Sequence, residues 1–381
     1  MKRIAHVANL YGPKSGGLRT TVNELARQYS RRNIEVLVIV PGVQDKIQIS
    51  DRIKFVELQS LRIPFSGGYR LILQTGKVEK LLEYFKPDMV EISDRSTLLR
   101  TARWAERRGI PTTIFVHERL DGVLRAFGSW LPFRNFIARR WNTLTARLTS
   151  KVVATTQFAA EEFVSLGFQP SFFHQSKLGI IPLGVDLEQF DPDQRFALSD
   201  FEFKVPHRYV MAATRMSKEK DPGFLLDIAE EVKAMGFDLP LVIAGSGPLE
   251  KKLAIESKNR NLNVIFAGFL HNRSKLASLL AGADVFLAVG PIETFGLAAL
   301  ESLASGTPVI CRDSAAISEV IDSKCGIALP RDAQSWANQI ARFREEDREK
   351  LRCSSRARAE AFSWNRCAEN LIELHEETRA A

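Results

Sequence analysis

The sequence lacks several features that would place it in a specialised class of protein. No apolar run reaches the roughly 18 residues that a membrane-spanning helix needs, so no such helix is expected. The four cysteines all fall late in the chain and form no Cys-x-x-Cys pair, which argues against a disulfide framework or a zinc site. An apolar strand pattern begins at Ile4 without a secretory leader before it. These absences predict a cytoplasmic protein with reduced thiols.

Two common phosphate-binding motifs are missing from the glycine-rich turn at residues 11–20. No Gly-Lys-Ser/Thr follows Gly16 and Gly17, and the glycine spacing is not Gly-x-Gly-x-x-Gly. The turn does lie between a predicted strand and an amphipathic helix. Glycines there let a ligand approach the backbone, and the helix N-terminus favours negative charge. The pattern is compatible with a phosphate site and also with a turn that only connects two elements.

An acidic metal-binding motif is matched only superficially. Asp191-Pro192-Asp193 has the Asp-x-Asp form of metal-dependent sugar transferases. It falls in a polar stretch of weak periodicity rather than at the end of a strand, which indicates a linker. We therefore predict no metal site there.

The positive charge is concentrated in the first half of the chain. The net charge is +8, but residues 1–175 carry 27 Lys and Arg against 15 Asp and Glu. Such asymmetry indicates an anionic partner for the first half, either a membrane surface or nucleic acid. A basic surface that is simply solvated remains the alternative.

Residues Arg119–Lys151, here called the basic aromatic segment, concentrate this charge. Asp121 is the acidic residue within it. The basic residues are Arg119, Arg125, Arg134, Arg139, Arg140, Arg147 and Lys151, and between them lie Phe127, Trp130, Leu131, Phe133, Phe136, Ile137 and Trp141. A basic, aromatic-rich helix is typical of an interfacial membrane contact. The alternative is a helix with its aromatic face in the core, and no nucleic-acid-binding module is legible around it.

The order of apolar patterns predicts an α/β fold with parallel sheets. Short buried strands alternate with amphipathic helices through both halves, and 381 residues suffice for two domains. Ligands bind such sheets at the carboxyl ends of the strands. His117 follows the predicted strand Pro111–Val116 and falls at that edge, although it could also be a plain polar loop residue.

Two carboxylates mark the stretch at residues 290–310. It predicts a loop, a buried helix that begins near Phe295 or Gly296 and ends by Ser305, and then a strand. Glu301 lies inside the apolar helix and Glu293 just before it, and a buried carboxylate is costly without partners. The pair could hold the hydroxyls of a ligand. Alternatively, Glu293 caps the helix and Glu301 pairs with a structural Arg or Lys.

Taken together, these motifs resemble the family 4 retaining glycosyltransferases, which have the GT-B fold. The resemblance covers nearly the whole chain. The matching motifs are Glu293-x7-Glu301, Pro182-Leu-Gly-Val-Asp186, Arg215 with Lys220, the Gly-x-Gly turn at Gly245, and the glycine loop at Gly16 and Gly17. Leu183 stands where the family usually has Asn, and Ser314–Val320 departs from its Gly-Gly-x-x-Glu pattern.

The resemblance implies two Rossmann-like domains that face a central cleft. Residues 1–185 would form an acceptor-binding domain, residues 186–207 a linker and residues 208–362 a nucleotide-sugar-binding domain, with the last helix, 363–381, returning to the first domain. The implied catalytic residues are His117, Arg215, Lys220 and Glu293, and the implied donor-binding residues are Gly16, Gly17, Gly245, Thr294, Phe295, Gly296, Leu297 and Glu301. Arg215 and Lys220 would grip the diphosphate, Glu301 the ribose, and Glu293 the donor sugar.

The implied activity is transfer of a hexose from a nucleotide sugar to a lipid or glycan acceptor. The loop Tyr11–Thr21 is most similar to bacterial GDP-mannose-dependent mannosyltransferases of the phosphatidylinositol-mannoside group, so mannose from GDP-mannose is expected, without metal or other cofactor, at the cytoplasmic membrane face. The alternatives are a UDP-sugar-dependent transferase, a nucleotide-sugar epimerase of the same fold, and a nucleic-acid-binding protein without enzymatic activity.

Overall fold

The alternating strands and helices build two separate units, each with its own sheet. A computed structural model describes residues 1–12, 16–63, 68–120, 124, 133–171, 176–196 and 201–380. Unit 1 comprises Met1–Leu183 with Trp364–Ala381, and unit 2 comprises Gly184–Ser363. None of the described helices is both long enough and apolar enough to cross a bilayer.

Unit 1 contains a sheet that, in its described part, has nine strands. Its elements are β1 (Arg3–Ala8), α1 (Gly17–Arg31), β2 (Glu35–Gly42), β3 (Lys46–Ser50), β4 (Ile53–Gln59), β5 (Leu61–Arg62), β6 (Arg70–Leu71), α2 (Thr75–Phe85), β7 (Met89–Ser93), α3 (Leu99–Glu106), β8 (Thr112–Val116), α4 (Arg134–Leu148), β9 (Lys151–Ala154), α5 (Gln157–Val164), β10 (Pro170–Ser171) and β11 (Leu178–Ile180). The strand order is β10-β11-β9-β8-β7-β1-β2-β4-β3. All neighbours are parallel except β3 and β4.

The central strands of unit 1 are buried on both faces. Strands β1, β2, β7 and β8 are rich in Val, Ile and Ala, as expected for a parallel sheet covered by helices on each side. Between β1 and β7 the strand order reverses direction. This topological switch point opens a crevice at the carboxyl edge of the sheet, where the ligands of doubly wound domains bind.

Unit 2 has six described strands, all parallel. Its elements are β12 (Val210–Ala213), α6 (Phe224–Ala234), β13 (Leu241–Ala244), α7 (Glu250–Asn259), β14 (Val264–Gly268), α8 (Arg273–Gly282), β15 (Val285–Ala288), α9 (Leu297–Ala304), β16 (Val309–Arg312), α10 (Ile317–Val320), β17 (Gly326–Leu329), α11 (Ala333–Glu345) and α12 (Arg348–Glu360). The order β14-β13-β12-β15-β16-β17 places the switch point between β12 and β15. The α/β fold expected from the sequence is confirmed.

Two local features differ from what the sequence pattern suggests. The charged stretch Arg344–Phe362 has the pattern of a single helix but contains two, because α11 ends at Glu345 and α12 begins at Arg348. The side chain of Asp347 accepts hydrogen bonds from the amides of Glu349 and Lys350 and so caps α12. The strand β3 was missed, since Lys46–Ser50 is exposed at every position and lacks the buried pattern of the other strands.

The last helix, α13 (Trp364–Ala380), belongs to unit 1. One face of the helix is buried, and Leu371 and Leu374 lie on it without exposed surface. At its start, Arg32 of unit 1 donates to the side chain of Asn365 and pairs with Glu369 at 3.2 Å. Apolar burial along one stripe therefore fixes this helix within unit 1.

Replacing Leu371 by Ala should destabilise unit 1. Removal of a fully buried Leu side chain loses transfer free energy and leaves a cavity, so the free energy of unfolding should fall by about 2–5 kcal/mol. Urea unfolding measures this change. The exposed Glu377→Ala on the same helix is the matched control and should stay within about 0.5 kcal/mol of the parent. Equal effects of the two substitutions would contradict the packing of α13.

Candidate active site

Two loops of unit 2 carry the predicted charged residues to one place. One loop follows β12 and contains Arg215 and Lys220, and the other follows β15 and contains Glu293. Because β12 and β15 are parallel neighbours at the switch point, both loops leave the same edge of the sheet. Topology alone thus brings together residues that are far apart in sequence.

A glycine sets the start of α9. Gly296 has φ +88 and precedes the first helical residue, Leu297, and a Cβ atom there would lie 2.4 Å from Cγ1 of Ile317. Only glycine fits both the left-handed backbone and this close contact. Thr294 and Phe295 are buried, so the loop before the helix is fixed. Both carboxylate oxygens of Glu293 contact Lys220, and in the described part of the chain they accept no hydrogen bond from an amide of α9, so Glu293 does not have the capping role considered above.

Glu293 and Lys220 form a two-contact ion pair. Lys220 Nζ lies 2.8 Å from Oε1 and 2.7 Å from Oε2 of Glu293. Burial alone raises the pKa of Glu293, but the charge and hydrogen bonds of Lys220, with the charge of Arg215, outweigh it and hold that pKa below its ordinary value. Glu293 is therefore ionised at neutral pH, and its oxygens can accept hydrogen bonds from hydroxyl groups.

The second cation, Arg215, forms an ion pair with a residue of its own loop. Arg215 Nη2 lies 3.2 Å from Oε1 of Glu219, one turn further along. The Gly-x-Gly turn packs directly on this loop, since a Cβ atom at Gly245 would lie 2.0 Å from Thr214 O and one at Gly247 2.3 Å from Met216 O. These two glycines are thus required by the packing that supports Arg215. Whether Gly245 also contacts a ligand stays a prediction.

Glu301 has a different electrostatic environment from Glu293. Its Oε1 accepts a hydrogen bond from Arg273 Nη2 at 2.7 Å, and the Arg273 guanidinium lies over the ring of Phe190. Burial raises the pKa of Glu301 above its ordinary value, and the charge and hydrogen bond of Arg273 offset this only in part. An arginine partner for Glu301 was one of the two alternatives considered. A neutral carboxyl group donates as well as accepts hydrogen bonds, which suits contact with a diol.

In unit 1, the predicted residues Gly16, Gly17 and His117 lie at the switch point of its own sheet. Gly16 precedes α1, and a side chain at this position would meet nothing within 4 Å. Gly17 is the first residue of α1, whose N-terminus therefore faces the carboxyl edge of the sheet. His117 directly follows β8 and lies 2.8 Å, through Nε2, from the hydroxyl of Ser93. Burial, the charge of His6 and that of Arg95 lower the pKa of His117 to about 3, so it is neutral.

Some polar residues at these edges were missed by the sequence analysis. They are His6, Glu91 and Ser93 in unit 1 and Glu219 and Arg273 in unit 2. The available signal was that His6 and Glu91 interrupt strongly apolar strands, where an ionisable side chain needs a partner. Glu219 and Arg273 lie at half-buried positions of a loop and a helix, in polar stretches of sequence that carry no such signal.

Asp191 and Asp193 have a structural role. Asp191 Oδ1 accepts a hydrogen bond from the amide of Asp193 at 2.9 Å, and Asp191 pairs with Arg356 at 3.3 Å. They lie at the start of a short 3-10 helix, Pro192–Phe196. Within the described ranges, no group of three or more His, Cys, Asp or Glu residues is arranged to hold a metal ion. Metal-independent activity stays a prediction.

The described part of the basic aromatic segment exposes its aromatic residues. Arg125, Phe127, Trp130 and Leu131 lie outside the described residues. In and before α4, Phe133 is 80% and Phe136 62% exposed, and Ile137 and Trp141 about 40%. The buried face of α4 is formed by Ala138, Asn142, Thr145 and Ala146. The alternative with these aromatic side chains in the core is wrong for the described part of the segment.

Family comparisons agree with this geometry. Residues 15–189 match the family model described as "Glycosyltransferase Family 4", and residues 194–360 match "Glycosyl transferases group 1". A curated relative from Mycobacterium tuberculosis is 39% identical over 375 residues, which cover 97% of this chain and 95% of the relative. The chain belongs to glycosyltransferase family 4. This glycosyltransferase has its predicted charged residues in the two matched regions.

The names of the relatives describe mannosyl transfer. The 39% identical protein is named a GDP-mannose-dependent alpha-(1-6)-phosphatidylinositol dimannoside mannosyltransferase. A second Mycobacterium tuberculosis protein, named a GDP-mannose-dependent alpha-mannosyltransferase, is 26% identical over 335 residues, covering 86% of the glycosyltransferase described here and 84% of the relative.

Solved structures support the fold. Sucrose-phosphate synthase from Thermosynechococcus elongatus aligns over the full length of both chains with a TM-score of 0.78 and 18% identity. Anabaena HepE in complex with UDP and glucose aligns over 98% of this glycosyltransferase and 99% of that chain, with a TM-score of 0.74 and 18% identity. The GT-B fold is therefore confirmed, while identity this low carries no argument about substrates.

The Lys220–Glu293 pair should stabilise unit 2 in a pH-dependent way. Because the pKa of Glu293 is lower in the folded state, the pair contributes its full stability above the unfolded pKa of about 4.5 and loses it as the pH falls through the folded value. Lys220→Met should lower the free energy of unfolding at pH 7 by about 1–3 kcal/mol.

Urea unfolding between pH 3 and 7 tests this expectation. The difference between Lys220→Met and the parent should shrink towards pH 3, where Glu293 becomes protonated in both proteins. Lys251→Met, at an exposed position of α7, is the matched control and should show no such dependence. A difference that stays constant over the pH range would contradict the ion-pair assignment.

Proposed function

We propose that this glycosyltransferase transfers mannose from GDP-mannose to a lipid-linked or glycan acceptor, with a phosphatidylinositol mannoside as the first candidate. The ion pair of Lys220 with Glu293 at the start of α9 is the observation that carries the proposal. A cation suited to phosphate and an anion suited to sugar hydroxyls lie side by side at the switch point of unit 2, which supports the proposal. The name of the 39% identical relative supplies the donor and the acceptor class.

The cations are suited to a leaving diphosphate. Lys220 has three N–H donors and uses two contacts on Glu293, so the third can bind a phosphate oxygen without releasing the carboxylate. Arg215 can bind two phosphate oxygens in a fork once it turns from Glu219. The free amides at the start of α9 add partial positive charge. Together these groups stabilise the negative charge that develops on the diphosphate.

The carboxyl groups are suited to the two sugars of the donor. Glu293, held ionised by Lys220, accepts hydrogen bonds from mannose hydroxyls, aided by the backbone amides of Phe295 and Gly296. Glu301, which lies within α9, binds the ribose hydroxyls, and its hydrogen bond with Arg273 orients its carboxyl group. Thr294 and Leu297 shape the turn between the two carboxyl groups, and Gly16 and Gly17 add a second helix N-terminus for the phosphates.

We propose a front-face reaction that retains the anomeric configuration. The acceptor hydroxyl oxygen bonds to C1 of mannose on the face that the diphosphate leaves, and the bond from C1 to the phosphate oxygen breaks. The hydroxyl proton passes to the departing phosphate oxygen, so GDP leaves with the bonding electron pair. His117, neutral at physiological pH, contacts the sugar as charge develops at C1. No protein nucleophile and no metal ion take part in this scheme.

Purified protein incubated with GDP-mannose and phosphatidylinositol dimannoside tests the function. Mass spectrometry should detect addition of one hexose, and NMR of the product should show an α-linkage. UDP-glucose and UDP-galactose are parallel donors, and their preferential use would overturn the GDP-mannose assignment. Conversion of the sugar nucleotide without transfer to any acceptor would support an epimerase instead.

Lys220→Ala should lower kcat/KM for the donor by about 10²–10³, since one preorganised contact to the developing charge is lost. Steady-state kinetics with GDP-mannose measures the change. Lys251→Ala, which removes an exposed Lys elsewhere in unit 2, should leave kcat/KM unchanged. An unaltered rate for Lys220→Ala would refute the proposed diphosphate contact.

We also propose that the basic aromatic segment binds the anionic inner surface of the plasma membrane, which would bring the enzyme to a lipid acceptor. Exposed Phe133, Phe136 and Trp141 can enter the interface. Arg139 and Arg140, both exposed on α4, can bind lipid phosphates. The association would be peripheral.

Arg139→Ala/Arg140→Ala should weaken binding to vesicles that contain phosphatidylinositol by about 10-fold, because each surface cation contributes about 1 kcal/mol at most. Co-sedimentation with such vesicles measures the binding. Arg103→Ala/Arg107→Ala removes two exposed arginines near α3 and is the matched control. Equal losses for both double variants, or binding that ignores the anionic lipid, would reject this surface.

A further inference from the structure

A row of polar side chains crosses the switch point of unit 1 and ends at His117. Nδ1 of His6 lies 2.8 Å from Oε2 of Glu91, and Nε2 of His6 lies 2.8 Å from Oγ of Ser93. The same Oγ lies 2.8 Å from Nε2 of His117. His6 is in β1, Glu91 and Ser93 share one face of β7, and His117 follows β8. Three neighbouring strands therefore contribute to one chain of polar contacts, with an ion-pair contact between His6 and Glu91 and hydrogen bonds on both sides of Ser93.

This row of polar side chains lowers the stability of the fold, because Glu91 and His6 are buried. Glu91 has no exposed surface and His6 only 1%. Glu91 also accepts a hydrogen bond from Tyr29 of α1 at 2.6 Å. Nε2 of His375 in α13 lies 3.5 Å from Oε1 of Glu91. Apolar residues of similar volume would often stabilise such a position as well or better. The arrangement thus calls for an explanation other than stability.

The rings of the two histidines at the ends of the Ser93 bridge are fixed by packing. The ring of Phe115 in β8 packs against both, with its centroid 5.6 Å from that of His6 and 5.7 Å from that of His117. The ring planes are nearly parallel, at 6° and 18°. Contact with Phe115 restrains each imidazole while its Nε2 atom is held at Ser93.

The single hydroxyl proton of Ser93 links the protonation of the two histidines. If His6 carries a proton on both nitrogens, Ser93 accepts from His6 and donates to Nε2 of His117, whose own proton is then on Nδ1. If His6 is neutral with its proton towards Glu91, Ser93 donates to His6 and accepts from Nε2–H of His117. The tautomer of His117 therefore depends on whether Nε2 of His6 carries a proton.

The buried carboxylate of Glu91 favours the first arrangement. Burial raises the pKa of Glu91, but the contact with His6 and the hydrogen bond from Tyr29 outweigh burial and lower that pKa below its ordinary value, so Glu91 is ionised. Burial lowers the pKa of His375, which leaves it neutral. A buried carboxylate needs a cation close by, and His6 is in direct contact with it. Burial also keeps the neighbouring thiol of Cys367 protonated, with a raised pKa.

We propose that Glu91, His6 and Ser93 are positioning residues that hold His117 as the tautomer with its proton on Nδ1, so that His117 acts as a hydrogen-bond donor to the donor sugar. This rests on the contact between His117 and the sugar in the proposed function. The tautomer itself is a property of unit 1 and can be measured without any substrate. A result against the tautomer therefore leaves the sugar contact of His117 untouched, and the reverse also holds.

Magic-angle-spinning ¹⁵N NMR of the full chain, labelled only at histidine, measures the tautomer. The difference spectrum with His117→Gln assigns the two His117 nitrogens. In the parent, Nδ1 should be protonated and Nε2 not. In Glu91→Gln the charge on His6 is no longer needed, either nitrogen of the neutral His6 can keep the remaining proton, and part of the His117 population should move its proton to Nε2. Glu106→Gln, at an exposed position of α3, is the matched control.

Two outcomes would overturn the proposal. One is a parent protein with the His117 proton on Nε2. The other is a Glu91→Gln variant that is folded by circular dichroism and keeps the parent tautomer. If Glu91→Gln does not fold, Ser93→Ala takes its place, since it removes the bridge and leaves the Glu91–His6 pair intact. His117 should then show a mixture of tautomers. An unchanged single tautomer would refute the proposal that the Ser93 bridge fixes the tautomer of His117.

Kinetics separates this proposal from the proposed function. Ser93→Ala should lower kcat by about 10- to 100-fold with little change in KM for the donor, and Ser93→Thr, which keeps the hydroxyl, should restore most of the rate. If His117→Gln transfers sugar at the parental rate, the sugar contact of His117 fails whatever the NMR shows. If the NMR shifts are absent while His117→Gln is inactive, His117 acts without this chain.

Discussion

In a parallel sheet, all strands end at the same edge, and the chain can open that edge to a ligand only where the strand order reverses. Both units obey this constraint, at β1 and β7 in one and at β12 and β15 in the other. Lys220 and Glu293 are 73 residues apart and meet because their loops leave neighbouring strands. The polar chain that ends at His117 likewise runs across β1, β7 and β8. The charged chemistry of the molecule is thus a consequence of strand order.

Much of this could be predicted from the sequence, because it depends on local patterns. The apolar strands and amphipathic helices of a doubly wound fold have distinct periods, and the start of α9 is marked by Gly296, whose backbone conformation few other residues adopt. The motif Glu293-x7-Glu301 then linked the helix to a family. What could not be predicted depends on contacts between distant segments. Arg273 as the partner of Glu301 and Glu219 as the partner of Arg215 carry no sequence pattern that identifies them.

The glycines show how one residue type can have different physical reasons. At Gly245 and Gly247 the space for a side chain is filled by the backbone of the loop that carries Arg215. At Gly16 that space is open. A glycine-rich turn in the sequence therefore does not say whether the backbone approaches a ligand or another loop. In unit 2 the backbone of another loop fills the space, and that loop carries Arg215.

The pKa values of Glu293 and Glu301 shift in opposite directions because the two carboxyl groups have different cations beside them. Glu293 has both oxygens on Lys220 and a second cation in Arg215, which together overcome the cost of burial. Glu301 has one hydrogen bond from Arg273, whose guanidinium is partly exposed, and burial prevails. Glu293, whose pKa is lowered, is suited to accept hydrogen bonds, whereas the raised pKa of Glu301 makes a protonated, donating carboxyl group less costly at that position. Glu293 before α9 and Glu301 within it are the same amino acid, and the cations beside them make their hydrogen-bonding properties differ.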